Sequence, residues 1–131
     1  MPKQKRKPNN LSEPDVVYSP ILNKVDMQNN IIKQTIKIIV DYINPEKVIL
    51  FGSRAKNKSG DVKSDYDICI LKSNISEKRK STQELYKLLY STGAAIDLII
   101  ETPEKFNELK TENSFIYYQI DKYGKVIYEK K

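Results

Sequence analysis

The stretch of sequence that decides the fold is residues 51–71, FGSRAKNKSGDVKSDYDICIL. It starts at the end of an apolar run at 47–51, crosses a loop rich in glycine, serine and lysine, and enters a second apolar run at 68–71. Asp65 and Asp67 lie where the loop meets this second run. Desolvation and mutual repulsion both penalise two carboxylates at the mouth of a buried strand, so their presence there indicates a function.

Apolar periodicity predicts helices and strands that alternate along the chain. Isoleucine and valine residues between 32 and 43 recur on one face of a helix, which Asp26 can cap and which Asn44-Pro45 ends. Four short apolar runs predict buried strands, at 47–51, 66–71, 95–100 and 125–128.

Three further helices are indicated by start and stop signals around these strands. The signals are a Ser81-x-x-Glu84 capping box before a helix that Gly93 follows, an N-cap and proline at Thr102-Pro103, and a last helix at about 114–122 stopped near Gly124. The fold class is therefore α/β (α+β), with a mixed sheet of about four strands packed with helices.

Composition limits the chemistry that this chain can perform. Its 131 residues fit one domain with a sizeable core. The single cysteine, Cys69, excludes an internal disulfide, and the absence of histidine excludes His-based nucleophilic catalysis and His-ligated zinc. No apolar stretch approaches the roughly 18 residues of a membrane span, and no apolar signal-peptide core follows the basic start. We therefore expect a cytoplasmic protein without a membrane role.

Positive charge is concentrated at the start of the chain. Four of the six net positive charges lie in residues 1–10, MPKQKRKPNN. This proline-containing, aperiodic segment predicts a disordered tail over 1–20, followed by one domain at 21–131. A basic arm can contact nucleic acid, but a solvated terminus is the commoner case, so we expect no nucleic-acid contact except through this tail.

The carboxylates share one face of the predicted sheet. Side chains alternate along a strand, so Asp65 and Asp67 point the same way as Cys69, and this face turns apolar directly after Asp67. Asp97 lies within a third strand that is apolar on both faces. Three aspartates on adjacent strands would form an all-oxygen site suited to Mg²⁺ or Mn²⁺. Water-facing acids in an alternating strand are the alternative, and a structural role for Asp97 is equally open.

A second group of residues, Gly52-Ser53-Arg54, closes the first strand of this stretch. Glycine lets the backbone approach a ligand closely, and the Ser53 hydroxyl with the amides of a following helix can hold a phosphate. Arg54 or Lys56 can add positive charge. Gly-Ser by itself usually marks a turn. Beside an Asp-x-Asp strand and a later aspartate, however, it is typical of phosphoryl or nucleotidyl transfer.

Together these residues resemble the signature of the DNA polymerase beta-type nucleotidyltransferase superfamily, and in particular its minimal nucleotidyltransferases. The similarity covers about residues 26–128, and the eleven residues between Ser53 and Asp65 are one more than the family usually has. The resemblance implies a nucleotidyltransferase fold, in which Gly52 and Ser53 hold the nucleotide triphosphate. It also implies that Asp65 and Asp67 bind two Mg²⁺ ions, and that Asp97 completes one metal site and helps to activate the attacking hydroxyl.

The resemblance further implies an antitoxin that transfers AMP from ATP to a hydroxyl, expected to be a tyrosine, of a HEPN-domain toxin in a hetero-oligomer. Alternatives are a binding antitoxin that neutralises its partner by occlusion and a nucleotidyltransferase acting on a small molecule such as an antibiotic, against which the short chain argues. Tyr117, Tyr118 and Tyr123 are predicted to pack on the sheet, with a partner-facing patch as the alternative.

Overall fold

The structure, a computed structural model, describes residues 30–56, 65–112 and 115–131. The predicted tail at 1–20 and the predicted cap Asp26 lie outside these residues. In chain order the elements are α1 (Asn30–Ile43), β1 (Lys47–Phe51), α2 (Ser53–Lys56), β2 (Tyr66–Leu71), α3 (Lys78–Leu89), a 3₁₀ turn (Tyr90–Thr92), β3 (Ile96–Glu101), α4 (Pro103–Leu109), α5 (Phe115–Tyr123) and β4 (Lys125–Glu129). The described helices include none that is both long and apolar enough to cross a membrane.

The four predicted strands form one mixed sheet in the order β3-β2-β1-β4. Strand β1 pairs antiparallel with β2 and with β4, whereas β2 and β3 run parallel through the crossover helix α3. β1 and β2 have the predicted bounds, and β3 begins one residue later than predicted. The prediction of a mixed four-stranded α/β fold is therefore confirmed.

Each face of the sheet has its own apolar core. Helices α1 and α3 cover the first face and bury Ile36, Ile68 and Leu85 among others. The second face carries Cys69 and Leu71, which pack under Phe106 of α4 and residues of α5. The alternation predicted for β2 is thus observed, because even-numbered residues of this strand face the first core and odd-numbered residues the second.

The first residue of α3 differs from the prediction. This helix begins at Lys78, and the Ser81 amide donates to the Glu77 carbonyl at 3.0 Å, so Ser81 lies inside the first turn. The predicted capping box is therefore wrong. Lysine and arginine at 78–80 are good helix formers and extend the helix by nearly a turn. At α4, by contrast, the prediction is confirmed, since the Thr102 hydroxyl accepts from the Lys105 amide at 3.1 Å.

The end of α1 is set by asparagine as well as by proline. Asn44 has φ 49°, in the left-handed region, and its amide donates to the Val40 carbonyl at 3.0 Å. An extended conformation is the usual one before proline, so the predicted stop at Asn44-Pro45 is correct but its geometry is not the expected one. Asparagine tolerates the left-handed region better than most residues, which explains its use here.

A buried carboxylate connects both layers of helices to the sheet. Glu101 ends β3 and is 6% exposed. Lys78 of α3 donates to both of its oxygens at 3.2 Å, and the Tyr117 hydroxyl of α5 donates to Oε1 at 3.1 Å. Burial and this hydrogen bond raise the pKa of Tyr117 to about 12. The predicted packing on the sheet is thus confirmed for Tyr117, whose ring also contacts that of Phe106 edge to face. The side chains of Tyr118 and Tyr123, by contrast, are 44% and 47% exposed.

The chemistry of Cys69 gives a test of the packing around β2. Its side chain is fully buried, and burial, with the nearby Glu101 charge, raises its pKa to about 12. Only the thiolate reacts with alkylating agents. We therefore expect iodoacetamide at pH 8 to label the native protein more than about a thousandfold more slowly than the protein unfolded in guanidinium. Rapid labelling of the native protein, measured by mass spectrometry, would show that the second core opens readily.

Candidate active site

The sheet register places two of the predicted carboxylates side by side. Asp67 of β2 and Asp97 of β3 are direct partners across the parallel pair, and both lie near the start of their strands. In the same row of the sheet, Phe51 at the end of β1 pairs with Asp67. Asp65 precedes β2 by one residue and is exposed. The three aspartates therefore lie at one end of the sheet, where β1 ends and β2 and β3 begin.

The protonation of Asp67 is influenced by the other two carboxylates. The pKa of Asp67 is raised, first by its partial burial and then by the negative charges of Asp97 and Asp65. A carboxylate with a raised pKa and two acidic neighbours lies in a field that favours a cation. The end of the sheet is thus an acidic surface, although the chain as a whole is basic.

Gly52 brings the backbone turn after β1 against the Asp67 carboxylate. It has φ +76°, in the left-handed region, and a Cβ atom built on it would overlap Asp67 Oδ2 and lie 3.0 Å from Asp67 Cγ. An L side chain would therefore meet both backbone strain and a steric clash. Sequence reasoning predicted a glycine for close approach of a ligand; the structure adds that its neighbour inside the protein is a candidate metal-binding carboxylate.

The short helix α2 carries the other predicted site residues. Ser53 opens it and is exposed, and Ala55, which is 3% exposed, anchors it in the first core. The guanidinium carbon of Arg54 lies 3.8 Å from the centroid of the Tyr66 ring. Lys56 ends the helix, but its side chain is outside the part of the chain that the structure describes.

The donor atoms at this end of the sheet suit a hard divalent cation. Carboxylate oxygens are the ligands that Mg²⁺ and Mn²⁺ prefer, and the raised pKa of Asp67 shows that its charge is poorly compensated by the protein. Within residues 30–56, 65–112 and 115–131, however, no three acidic or cysteine side chains are close enough to hold a metal ion as they stand. Like charges repel, so a shared site would require a cation to draw the carboxylates together.

A cavity in the described part of the chain lies away from these carboxylates. A cavity of about 200 Å³ opens on the second face between α4 and α5, with Leu71 and Phe106 in its wall. Its charged residues already have partners: Lys110 pairs with Asp121 at 3.3 Å, and Glu46 accepts from the Ser73 amide at 2.8 Å. The carboxylates of the candidate site do not line this cavity, and its chemistry offers no unpaired charge for a ligand. We therefore assign the candidate site to the end of the sheet.

The contact between Arg54 and Tyr66 was missed by sequence reasoning. Tyr66 lies between the two aspartates of the Asp-x-Asp pattern, and its side chain faces the first core. Twelve residues separate the two side chains in sequence, and no local pattern indicates that they meet. An aromatic residue at the centre of the pattern, with an arginine two residues after the glycine, was the available signal.

The acidic end of the sheet and the Gly-Ser turn beside it are the arrangement expected for nucleotidyl transfer. The chain belongs to the polymerase beta nucleotidyltransferase family, whose sequence model, described as "Polymerase beta, Nucleotidyltransferase", matches residues 23–131. The family predicted from residues 51–71 is therefore confirmed. No match was found among curated proteins.

Solved structures of similar fold come from toxin–antitoxin complexes. A chain in the crystal structure of a MntA–HpeT toxin–antitoxin mutant is 20% identical, with 76% of this chain and 74% of that chain covered and a TM-score of 0.55. A chain in the complex of tri-AMPylated Shewanella oneidensis HEPN toxin with MNT antitoxin is 22% identical, covering 76% and 71%, with a TM-score of 0.51. A third, from a toxin–antitoxin structure with AMP-PNP, is 21% identical, covering 76% and 74%, again with a TM-score of 0.51.

Proposed function

We propose that this chain is a Mg²⁺-dependent antitoxin nucleotidyltransferase that transfers AMP from ATP to a tyrosine hydroxyl of a HEPN-domain toxin. The observation that carries the proposal is the placement of Asp97 beside Asp67 in the sheet register, with the Gly52 turn in contact with Asp67. We place the reaction in the cytoplasm, where ATP is abundant. The predicted division into a tail at 1–20 and a catalytic domain at 21–131 is part of this proposal.

The residues at the end of the sheet have different roles in the proposed reaction. Asp65, Asp67 and Asp97 would hold two Mg²⁺ ions, which when bound neutralise charge on the triphosphate and lower the pKa of the acceptor hydroxyl. Gly52 leaves the backbone open to the phosphates, and the exposed Ser53 hydroxyl donates a hydrogen bond to one of them. Lys56 adds positive charge in this proposal. Asp97, which is more exposed than its sheet partner Asp67, takes part in activating the acceptor hydroxyl.

The transfer itself is a substitution at the α-phosphorus of ATP. The acceptor oxygen forms a new bond to this phosphorus, the bond to the bridging oxygen of the β-phosphate breaks, and pyrophosphate leaves. The acceptor proton passes to a carboxylate of the site and from there to solvent. After burial, the negative charges of Asp97 and Asp65 raise the pKa of Asp67, and the potential at this carboxylate therefore favours a positive charge.

Support for a protein acceptor comes from the structural neighbours of this chain, which are toxin–antitoxin complexes. The neighbour from Shewanella oneidensis is a complex of MNT antitoxin with tri-AMPylated HEPN toxin, and another neighbour contains AMP-PNP. We extend to this chain both the HEPN-domain toxin as partner and acceptor and the adenine nucleotide as substrate.

The test is a transfer reaction with a HEPN-domain partner protein. The purified chain, ATP, Mg²⁺ and the partner should yield partner molecules heavier by one or more AMP groups in intact-mass spectrometry, and peptide sequencing should place the groups on tyrosine. The control is the Asp65→Asn/Asp67→Asn double variant, which should give no adduct. Absence of any adduct with the wild-type chain, while the partner is still neutralised, would refute the transfer reaction.

Neutralisation by occlusion is the second candidate, and exposed apolar side chains on α5 favour it. Phe115 is 74% exposed, and Ile116, Tyr118 and Tyr123 are each more than 40% exposed. Aromatic residues exposed together are enriched at protein interfaces. If binding alone neutralises the partner, the Asp65→Asn/Asp67→Asn variant should protect cells as well as wild type. Loss of protection with retained binding of the partner would instead require catalysis.

A further inference from the structure

The contact between Arg54 and Tyr66 is the closest meeting of a cation and an aromatic ring in the described part of the chain. The guanidinium carbon lies over the ring at 3.8 Å from its centroid, whereas the lysine–ring pairs elsewhere are 5.4 to 5.8 Å apart. At this distance the planar guanidinium is in van der Waals contact with the face of the ring. Sequence reasoning assigned Arg54 to phosphate binding, and this contact points to a different role.

Tyr66 provides a rigid support for that contact. It is 6% exposed, it opens β2, and its amide donates to the Ala95 carbonyl at 2.9 Å. Its ring belongs to the first core, whereas its neighbour Asp67 points to the other face of the sheet. The ring therefore lies on the opposite side of β2 from the carboxylate, and it has no access to a nucleotide held there.

We infer that Arg54 is a positioning residue of the nucleotide site, which holds α2 on Tyr66 and so fixes Ser53 relative to Asp67. The inference rests on the proposed nucleotide transfer and deepens it. Gly52, with φ +76°, permits more backbone conformations than other residues, so the turn does not by itself determine the direction of α2. Among the described side chains, Ala55, buried in the first core, and Arg54, on the ring at the first residue of β2, hold α2 against the sheet.

The inference predicts that altering the ring, which does not touch the nucleotide, weakens nucleotide binding. Calorimetric titration of the full chain with AMP-PNP in Mg²⁺ provides the measurement. Tyr66→Leu keeps an apolar side chain but removes the ring, and should raise Kd by about three- to thirtyfold. Tyr66→Phe keeps the ring and should stay within about twofold of wild type. Arg54→Lys keeps the charge, loses the planar group, and should weaken binding as Tyr66→Leu does.

A double variant separates positioning from direct phosphate binding. If Arg54 acts through the ring, Arg54→Lys/Tyr66→Leu should bind no more weakly than the weaker single variant, because one interaction is removed in both cases. Wild-type affinity in Tyr66→Leu, or effects of the two changes that multiply, would overturn the inference. If Tyr66→Leu melts below the assay temperature, the affinity of Arg54→Lys is the deciding measurement. Unchanged AMP-PNP affinity in Arg54→Lys would also overturn the inference. A wild-type chain that does not bind AMP-PNP at all would instead refute the proposed function, and the inference with it.

Discussion

Replacement of Asp67 by asparagine should abolish AMP transfer without harming the fold. Asp67 is the central carboxylate of the three, since it lies between Asp65 in sequence and Asp97 across the sheet. Loss of a metal-binding carboxylate removes several kcal/mol of transition-state stabilisation, so transfer to the partner should fall by at least about a thousandfold. Intact-mass measurement of the partner over time gives the rate.

Although Asp67→Asn should lose activity, its thermal stability should stay the same or increase. The folded-state pKa of Asp67 is raised, so its ionised form destabilises the folded protein at neutral pH, and this cost disappears as the pH falls through the folded-state pKa. Asparagine removes the charge at every pH. In metal-free buffer Asp67→Asn should therefore melt at the wild-type temperature or above, as followed by circular dichroism.

Added Mg²⁺ should reverse this order of stability. A cation that binds only the folded state stabilises it, so Mg²⁺ well above its Kd should raise the melting temperature of wild type by roughly 5 °C. The Asp67→Asn variant should show little of this increase. A Mg²⁺ effect of equal size in both proteins would mean that the ion binds elsewhere, and would remove Asp67 from the metal site.

Replacement of Gly52 by alanine should also abolish transfer, for a steric reason. The new methyl group overlaps the Asp67 carboxylate, and the backbone there has a φ of +76° that alanine adopts only with strain. We expect a loss of about 1–3 kcal/mol in the free energy of unfolding and a rate reduced by at least about a hundredfold. Urea unfolding and the transfer assay measure the two effects.

The chain contains a matched control for this variant. Gly93 has the same φ of +76°, and a Cβ atom built on it meets nothing within 4 Å. Gly93→Ala should therefore lose about 1 kcal/mol of stability through backbone strain and keep its transfer rate. The difference between the two variants isolates displacement of Asp67. Equal transfer rates in both would show that the carboxylate moves aside without consequence for catalysis.

Local patterns predicted the strands well and the helix starts less well. The apolar runs gave the bounds of β1 and β2, because a buried strand has to be apolar on both faces and its ends are marked by polar residues. Helix α3 began earlier than its capping box indicated, since residues 78–80 favour a helix and Lys78 gains two hydrogen bonds to Glu101. That carboxylate is 23 residues away, so no local window contains the reason.

The candidate site was predictable in its residue types and less so in its contacts. Alternation placed Asp67 on the face of Cys69. Because β2 and β3 are adjacent parallel strands, Asp67 and Asp97 near their starts become neighbours. The approach of Gly52 to the Asp67 carboxylate and of Arg54 to Tyr66 depends on how β1 and α2 are oriented in three dimensions. Those contacts arise from packing, which a one-dimensional pattern does not encode.

One further property follows from the position of β3 at the rim of the sheet. In the described part of the chain β3 pairs only with β2, and the Leu98 amide that would face an additional strand donates instead to the Tyr86 hydroxyl at 2.9 Å. The tyrosine thus discourages unwanted strand-to-strand association next to Asp97. If Asp97 acts as proposed, the edge of the sheet beside it is therefore kept from pairing with a second copy of the chain and is left for the acceptor.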